Sequence, residues 1–123
     1  MPFLYHIRSD GSPGECWELG ADPIVLGRGE RADARIEDDA LSRSHFLITR
    51  EGAGFHLVDL KSSNGTWINN KRTSAHKLHP GDIIMAGESW FYFSDVGVST
   101  LVIPGILPLL TTAETTQPRL WGV

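Results

Sequence analysis

No apolar stripe of helical period lasts for more than about two turns anywhere in this chain, and that bounds the fold more tightly than any other feature. Short apolar runs are instead cut repeatedly by Gly, Pro, Asn and Asp. Phe3, Tyr5 and Ile7 recur at period two, and the turn at Asp10-Gly11-Ser12-Pro13-Gly14 returns the chain through 15–19, which predicts a hairpin. Ile24-Val25-Leu26 is a short buried run that ends at Gly27-Arg28, and Arg35-Ile36-Glu37 reads as a brief strand. Phe46 to Thr49 and Phe55 to Leu60 flank the Glu51-Gly52-Ala53-Gly54 turn, while 66–68, 83–85 and 89–93 are the remaining β-branched and aromatic runs. Roughly ten such strands at this spacing predict an all-β, antiparallel β-sandwich with its loops gathered at the two ends. The loops at 28–34, 38–45 and 61–65 are separated by single strands or hairpins, so they are expected to converge at one end.

A chain of 123 residues is long enough for one real core. Its formal charge of −4 argues against duplex nucleic acid as a partner, because phosphate-backbone binding leans on a basic surface. A few clustered arginines can still receive a single phosphate group. The lone Cys16 makes no internal disulfide, no signal peptide is visible at the N-terminus, and the apolar run from Val98 to Leu110 is broken by Pro104, Gly105 and Pro108. No ordinary membrane span is expected, and a cytoplasmic setting is the default expectation.

The stretch from Asp59 to Asn69 carries more polar groups than its turn needs. Asn64-Gly65 alone satisfies the turn, as a pair favoured at positive φ. The added hydroxyls and amides of Ser62, Ser63 and Thr66 point to a loop that presents donors. Three other short stretches stand around it in sequence: Gly27-Arg28, Ser42-Arg43-Ser44-His45 and Asn69-Asn70.

Taken in register, Gly27-Arg28, Ser42-Arg43-Ser44-His45, Ser62-Ser63-Asn64-Gly65-Thr66 and Asn69 resemble the signature of the forkhead-associated (FHA) domain over about residues 3 to 95. The resemblance implies a sandwich of about eleven strands that binds phosphothreonine-containing segments of partner proteins, downstream of a Ser/Thr kinase and without catalysis. It implies an FHA domain over 1–95 and a C-terminal extension over 96–123, in which 100–103 is a candidate extra strand.

The residue chemistry runs parallel to that resemblance. A phosphothreonine brings about −1.5 to −2 charge and three acceptor oxygens. Arg28 offers a guanidinium at the tip of a buried strand, Ser42 a short hydroxyl, and Arg43 a backbone amide plus a second guanidinium. Ser63 and Asn64 are expected to face them, and the asparagine matching Asn64 grips the ligand backbone in the family. Arg43 stands where some relatives carry asparagine, so its backbone role is firmer than its side-chain role. Gly27, His45, Gly65, Thr66 and Asn69 are expected to be structural, with His45 bonding between loops and Asn69 tying the 61–65 loop to its neighbour. The threonine methyl contributes roughly 0.8 kcal/mol when buried, only a few-fold in affinity. The loop matching the reader of the third residue after phosphothreonine is Asp38-Asp39-Ala40-Leu41, whose acidic half favours a basic or polar residue and whose apolar half an apolar one.

Other chemistries find less support. Ser42 or Ser44 with His45 and Asp59 has the residue types of a hydrolytic relay, yet no nucleophile elbow or oxyanion hole accompanies them. His76 and His79 lie in a Pro- and Lys-flanked loop with no nearby cysteine or obvious carboxylate pair, so neither metal nor cofactor is expected. Thr115 and Thr116 lie beside Glu114 and form a candidate phosphoacceptor for self-binding. The rival to phosphopeptide binding is a structural or oligomerisation role for the same scaffold.

Overall fold

In a computed structural model, residues 2–95 are the ones the structure describes, and they are all β. Eleven strands follow in order: β1 (Phe3–Ile7), β2 (Pro13–Glu18), β3 (Ile24–Gly27), β4 (Ala34–Arg35), β5 (Phe46–Glu51), β6 (Gly54–Asp59), β7 (Thr66–Ile68), β8 (Lys71–Thr73), β9 (Ala75–Lys77), β10 (Ile83–Ala86) and β11 (Ser89–Ser94). They form a six-stranded sheet in the order β2-β1-β11-β10-β7-β8 and a five-stranded sheet in the order β4-β3-β5-β6-β9. The expected sandwich of about eleven strands is present. One pairing departs from the antiparallel expectation: β3 and β4 run parallel, with Leu26 beside Ala34 and Gly27 beside Arg35. The intervening charged loop carries the chain back alongside the last two residues of the strand it left.

Residues of both sheets meet in one apolar core. Leu26, Phe46, Ile48 and Leu57 from the five-stranded sheet pack with Leu4, Ile84, Phe91 and Phe93 from the other, all of them buried. Phe46 and Phe91 meet edge to face with centroids 5.9 Å apart, joining the sheets near their centre. The side chains of period two that marked β1, namely Phe3, Tyr5 and Ile7, do not enter this core. They join Met85, Trp90, Trp67, Ile83 and Tyr92 in a second apolar cluster on the other side of the six-stranded sheet. Leu4, in the alternate register, is the β1 residue that faces the main core.

Two short strands, β8 and β9, were not anticipated. The β7–β8 hairpin turns on Asn69 (φ 51°) and Asn70 (φ 71°), the pair of left-handed residues that a type I′ turn needs. Among the described residues no helix is long and apolar enough to cross a membrane. The expected strand at 100–103, the apolar 98–110 run and the candidate phosphoacceptors Thr115 and Thr116 lie outside the described residues.

Candidate functional site

The loops after β3, before β5 and between β6 and β7 meet at one end of the sandwich, and backbone hydrogen bonds hold them together. The Arg28 amide donates to the Ser42 carbonyl at 3.1 Å and the Gly29 amide to the Arg43 carbonyl at 3.1 Å. Gly27 makes that approach feasible, because a Cβ there would fall inside the Arg43 carbonyl group. The close approach of two backbones, rather than a special φ, is what requires glycine here.

Arg28 is itself positioned by this arrangement. Its Nε donates to the Leu41 carbonyl at 2.7 Å, which anchors the guanidinium and leaves the rest of the fork for an oxyanion. Ser42 Oγ accepts from the Ser63 amide at 3.0 Å, so the two serines come from different loops to one place. Asn64 donates through Nδ2 to the Ala40 carbonyl at 2.7 Å, joining the 61–65 loop to the 38–41 loop. Arg28, Ser42, Ser63 and Asn64 are thus brought together. The expected left-handed pair at Asn64-Gly65 is found only at Gly65 (φ 88°), and Lys61 supplies the other left-handed residue of the loop (φ 55°).

Beside Arg28 lies a cleft of about 580 Å³ lined by Arg28, Arg31, Arg35 and Arg43, with Gly29, Glu30 and Ser44. Arg31 and Arg35 were not singled out from the sequence, although the alternation of Arg with Glu and Asp across 28–35 was there to read. The parallel β3–β4 pairing brings Arg35 alongside Gly27, and its Nε donates to the Arg28 carbonyl at 3.2 Å. A basic cleft in a chain of net charge −4 is a local field of opposite sign to the whole. Arg28 and Arg35 also line a smaller, acidic-walled recess of about 350 Å³ with Glu37, Asp38 and Asp39.

The 38–41 loop resolves differently from the open alternatives of its sequence. Asp38 accepts from the Ala40 amide at 2.9 Å, the Glu88 amide at 2.8 Å and Ser89 Oγ at 2.6 Å, which ties it to the turn before β11. Leu41 is buried in the core at 2% exposure. Both are engaged within the fold, which leaves Asp39, exposed, and Ala40, half-buried, with free side chains in this loop.

His45 is fully buried under the loops. Its Nδ1 accepts from the Ser42 amide at 3.0 Å, so the ring proton sits on Nε2 and donates to the Gly65 carbonyl at 2.8 Å. Both ring nitrogens are therefore occupied by backbone, and His45 serves no serine hydroxyl. Asp59 is engaged elsewhere: Oδ1 accepts from Ser62 Oγ at 2.6 Å and Thr66 Oγ1 at 2.7 Å, and Oδ2 from the Ser62 amide at 3.1 Å. The hydrolytic relay is absent from this geometry. Burial pushes the Asp59 carboxyl up, but the hydrogen bonds from Ser62 and Thr66 outweigh it and hold the group below its ordinary 3.8.

Thr66 is buried, and its hydroxyl is the one that meets Asp59. Gly65 adopts its positive φ against the Arg72 guanidinium, where a Cβ would stand 2.8 Å from Nε. Asn69 departs from expectation. Rather than tying the 61–65 loop, its Nδ2 donates to Asp82 Oδ1 at 2.9 Å and its Oδ1 accepts from the Ile83 amide at 3.0 Å. It is a turn residue of the β7–β8 hairpin that braces the entry to β10.

Comparison with known proteins follows the same outline. A family model described as "FHA domain" matches residues 24–87. The FHA domain-containing protein FhaA of Mycobacterium tuberculosis is 35% identical over 83 residues, 68% of this chain and 16% of FhaA. A solved FHA domain of FhaA, complexed with the intracellular domain of Rv3910, matches with a TM-score of 0.69 at 31% identity, over 76% of this chain and 99% of that one. EmbR of Mycobacterium tuberculosis, solved with a low-affinity phosphopeptide, matches with a TM-score of 0.70 at 28% identity, over 81% of this chain and 26% of EmbR. The chain spans less than two thirds of the length of the curated relatives it matches.

Proposed function

The chain belongs to the forkhead-associated family, and from that premise we propose that its loop end binds phosphothreonine-bearing segments of partner proteins in Ser/Thr-kinase signalling. Domains of this family are binding modules rather than enzymes, and we read this chain as non-catalytic, with its module in 1–95 and an extension in 96–123. The observation that carries the reading is the anchored guanidinium of Arg28. Its Nε is held by the Leu41 carbonyl, and the hydroxyl of Ser42 and amide of Ser63 stand together in the adjacent loops.

In this reading the Arg28 fork pairs with the phosphate, Ser42 and Ser63 supply neutral donors, and Arg43 adds charge from the cleft wall. Asn64 exchanges its bond to Ala40 for the ligand backbone, at a cost small enough for one hydrogen bond to replace another. Electrostatic recognition of this kind brings the phosphate to the basic cleft before short-range contacts form.

The decisive experiment compares one peptide with and without phosphate on its threonine, against the parent and Arg28→Ala. The parent is expected to bind only the phosphorylated form. Arg28→Ala is expected to reduce that to the unphosphorylated level while costing about 1 kcal/mol of stability for the lost bond to Leu41. Equal affinity of the parent for both peptides would overturn the reading in favour of an assembly role for the scaffold.

A further inference from the structure

Beyond Asn69, the fold gathers a group of donors that stand three residues apart in the sequence. His76 lies on the edge strand β9, whereas His79 and Asp82 bracket the turn that leads into β10. Their ligand atoms all lie within 4.8 Å of one another. We propose that His76, His79 and Asp82 form a divalent zinc site that clips β9, the edge of one sheet, to the turn that leads into β10 in the other.

The turn explains how the group arises. Pro80 and Gly81 occupy its centre, Gly81 with a φ of 97°, and the Asp82 amide donates to the His79 carbonyl at 3.0 Å. Those are the residues and the φ of a type II turn, in which Pro presets the second position and Gly accepts the third. The turn is held to the sheet by the Gly81 amide on the Phe93 carbonyl at 2.8 Å. His79 and Asp82 therefore face one another across a rigid bend. β9 brings His76 against them, with Nε2 3.2 Å from Asp82 Oδ2.

That separation suits a metal. Tetrahedral zinc with bonds of about 2.0 Å to nitrogen and oxygen sets its ligand atoms about 3.3 Å apart, so the His76–Asp82 pair stands at the required spacing already. His79 is exposed, and its ligand nitrogen lies within 4.8 Å of the other two ligand atoms. The two imidazole centroids are 6.1 Å apart and their planes are inclined by 69°, so the rings do not stack against each other. Two imidazoles and a carboxylate make a donor set of zinc type, leaving one position for water or a donor from a partner.

The carboxylate is also braced as a ligand should be. Asp82 is buried, with Oδ1 accepting from Asn69 Nδ2 at 2.9 Å and Oδ2 from the His79 amide at 2.8 Å. Such outer bonds fix ligand orientation in metal sites. The turn by itself requires the Asp82 carboxylate but not the His79 imidazole. A plain hydrogen bond between His76 and Asp82 accounts for two of the three groups and leaves His79 unused.

The test titrates zinc chloride into the chelator-stripped chain by calorimetry, with cobalt(II) absorption as a second readout of geometry. The parent is expected to take one zinc per chain in the micromolar range, with the strong visible bands of tetrahedral cobalt and a melting temperature that rises with zinc. His79→Ala, an exposed change, and His76→Ala are each expected to weaken binding at least ten-fold and to remove the melting shift. A parent that takes up no zinc in this range overturns the proposal, and so does zinc binding that both variants retain. Phosphopeptide binding plays no part in these readouts, so this site stands or falls apart from the loop end.

Discussion

At the scale of single residues, the buried histidine explains why three loops hold one shape. His45 spends both ring nitrogens on backbone groups of two different loops, and its own amide and carbonyl pair with Leu26 and Leu60. Replacing it with alanine leaves the Ser42 amide and the Gly65 carbonyl without partners in a buried place. His45→Ala is therefore expected to cost roughly 2–4 kcal/mol, seen as an earlier midpoint in urea unfolding. An unchanged unfolding curve with binding lost would contradict this and move His45 into the ligand contact. Ser42, Ser63, Asn64 and Arg28 were readable as a set because their residue types stand in a recognisable order. What their spacing did not carry was the state of the unliganded site. Asn64 rests on Ala40, Asp38 is spent on the turn before β11, and Leu41 is in the core.

Among the elements, the strands with two to four apolar residues were legible and the short polar ones were not. β8 (Lys71-Arg72-Thr73) and β9 (Ala75-His76-Lys77) have no apolar period, because β8 and β9 are edge strands. Edge strands shed apolar residues to avoid pairing with other chains, which removes the signal that would reveal them. The parallel β3–β4 pair escaped for another reason: β4 is two residues long, too short for periodicity to declare a direction. Asp82 was equally invisible as a neighbour of His76, since only the β9–β10 turn brings them together. The β7–β8 hairpin yields a prediction at this scale. Asn70 sits at φ 71°, a conformation that alanine resists and glycine accepts. Asn70→Ala is expected to lose about 1 kcal/mol while Asn70→Gly loses little, measured as unfolding midpoints. Equal losses for both variants would mean that the side chain, not the backbone angle, matters there.

Across the whole molecule, the six-stranded sheet is apolar on both faces, one turned to the main core and the other carrying Tyr5, Met85 and Trp90. This is why period two on β1 identified a strand although Leu4, in the alternate register, is its residue in the main core. Global stability should also report on the loop end through Asp59. Its pKa is lower in the folded chain than its ordinary 3.8, so it contributes stability that is present above that value and is lost as pH falls through the folded value. Asp59→Asn is expected to be less stable than the parent near neutrality, with the gap narrowing as the pH falls below 3.8. Urea midpoints at several pH values would decide it, and a gap that stays constant into acid would count against the assignment. The many other carboxylates are common to both proteins and cancel in the difference.

The Asn64-Gly65 pair also gives the domain a chemical lifetime. An asparagine followed by glycine deamidates when the glycine nitrogen closes on the asparagine side chain. Here that nitrogen is turned to Ser62 Oγ at 3.0 Å, while the Asn64 amide is turned to Ala40. The folded loop thus holds attacker and target apart, and ageing proceeds only as fast as the loop opens. Peptide mass mapping of samples stored with and without urea should show the damage concentrated in the unfolded one; equal rates would mean that the loop gives no shelter. The product carries a carboxylate in place of the Asn64 amide, and in the proposed function that added negative charge is expected to weaken the binding of a phosphorylated segment.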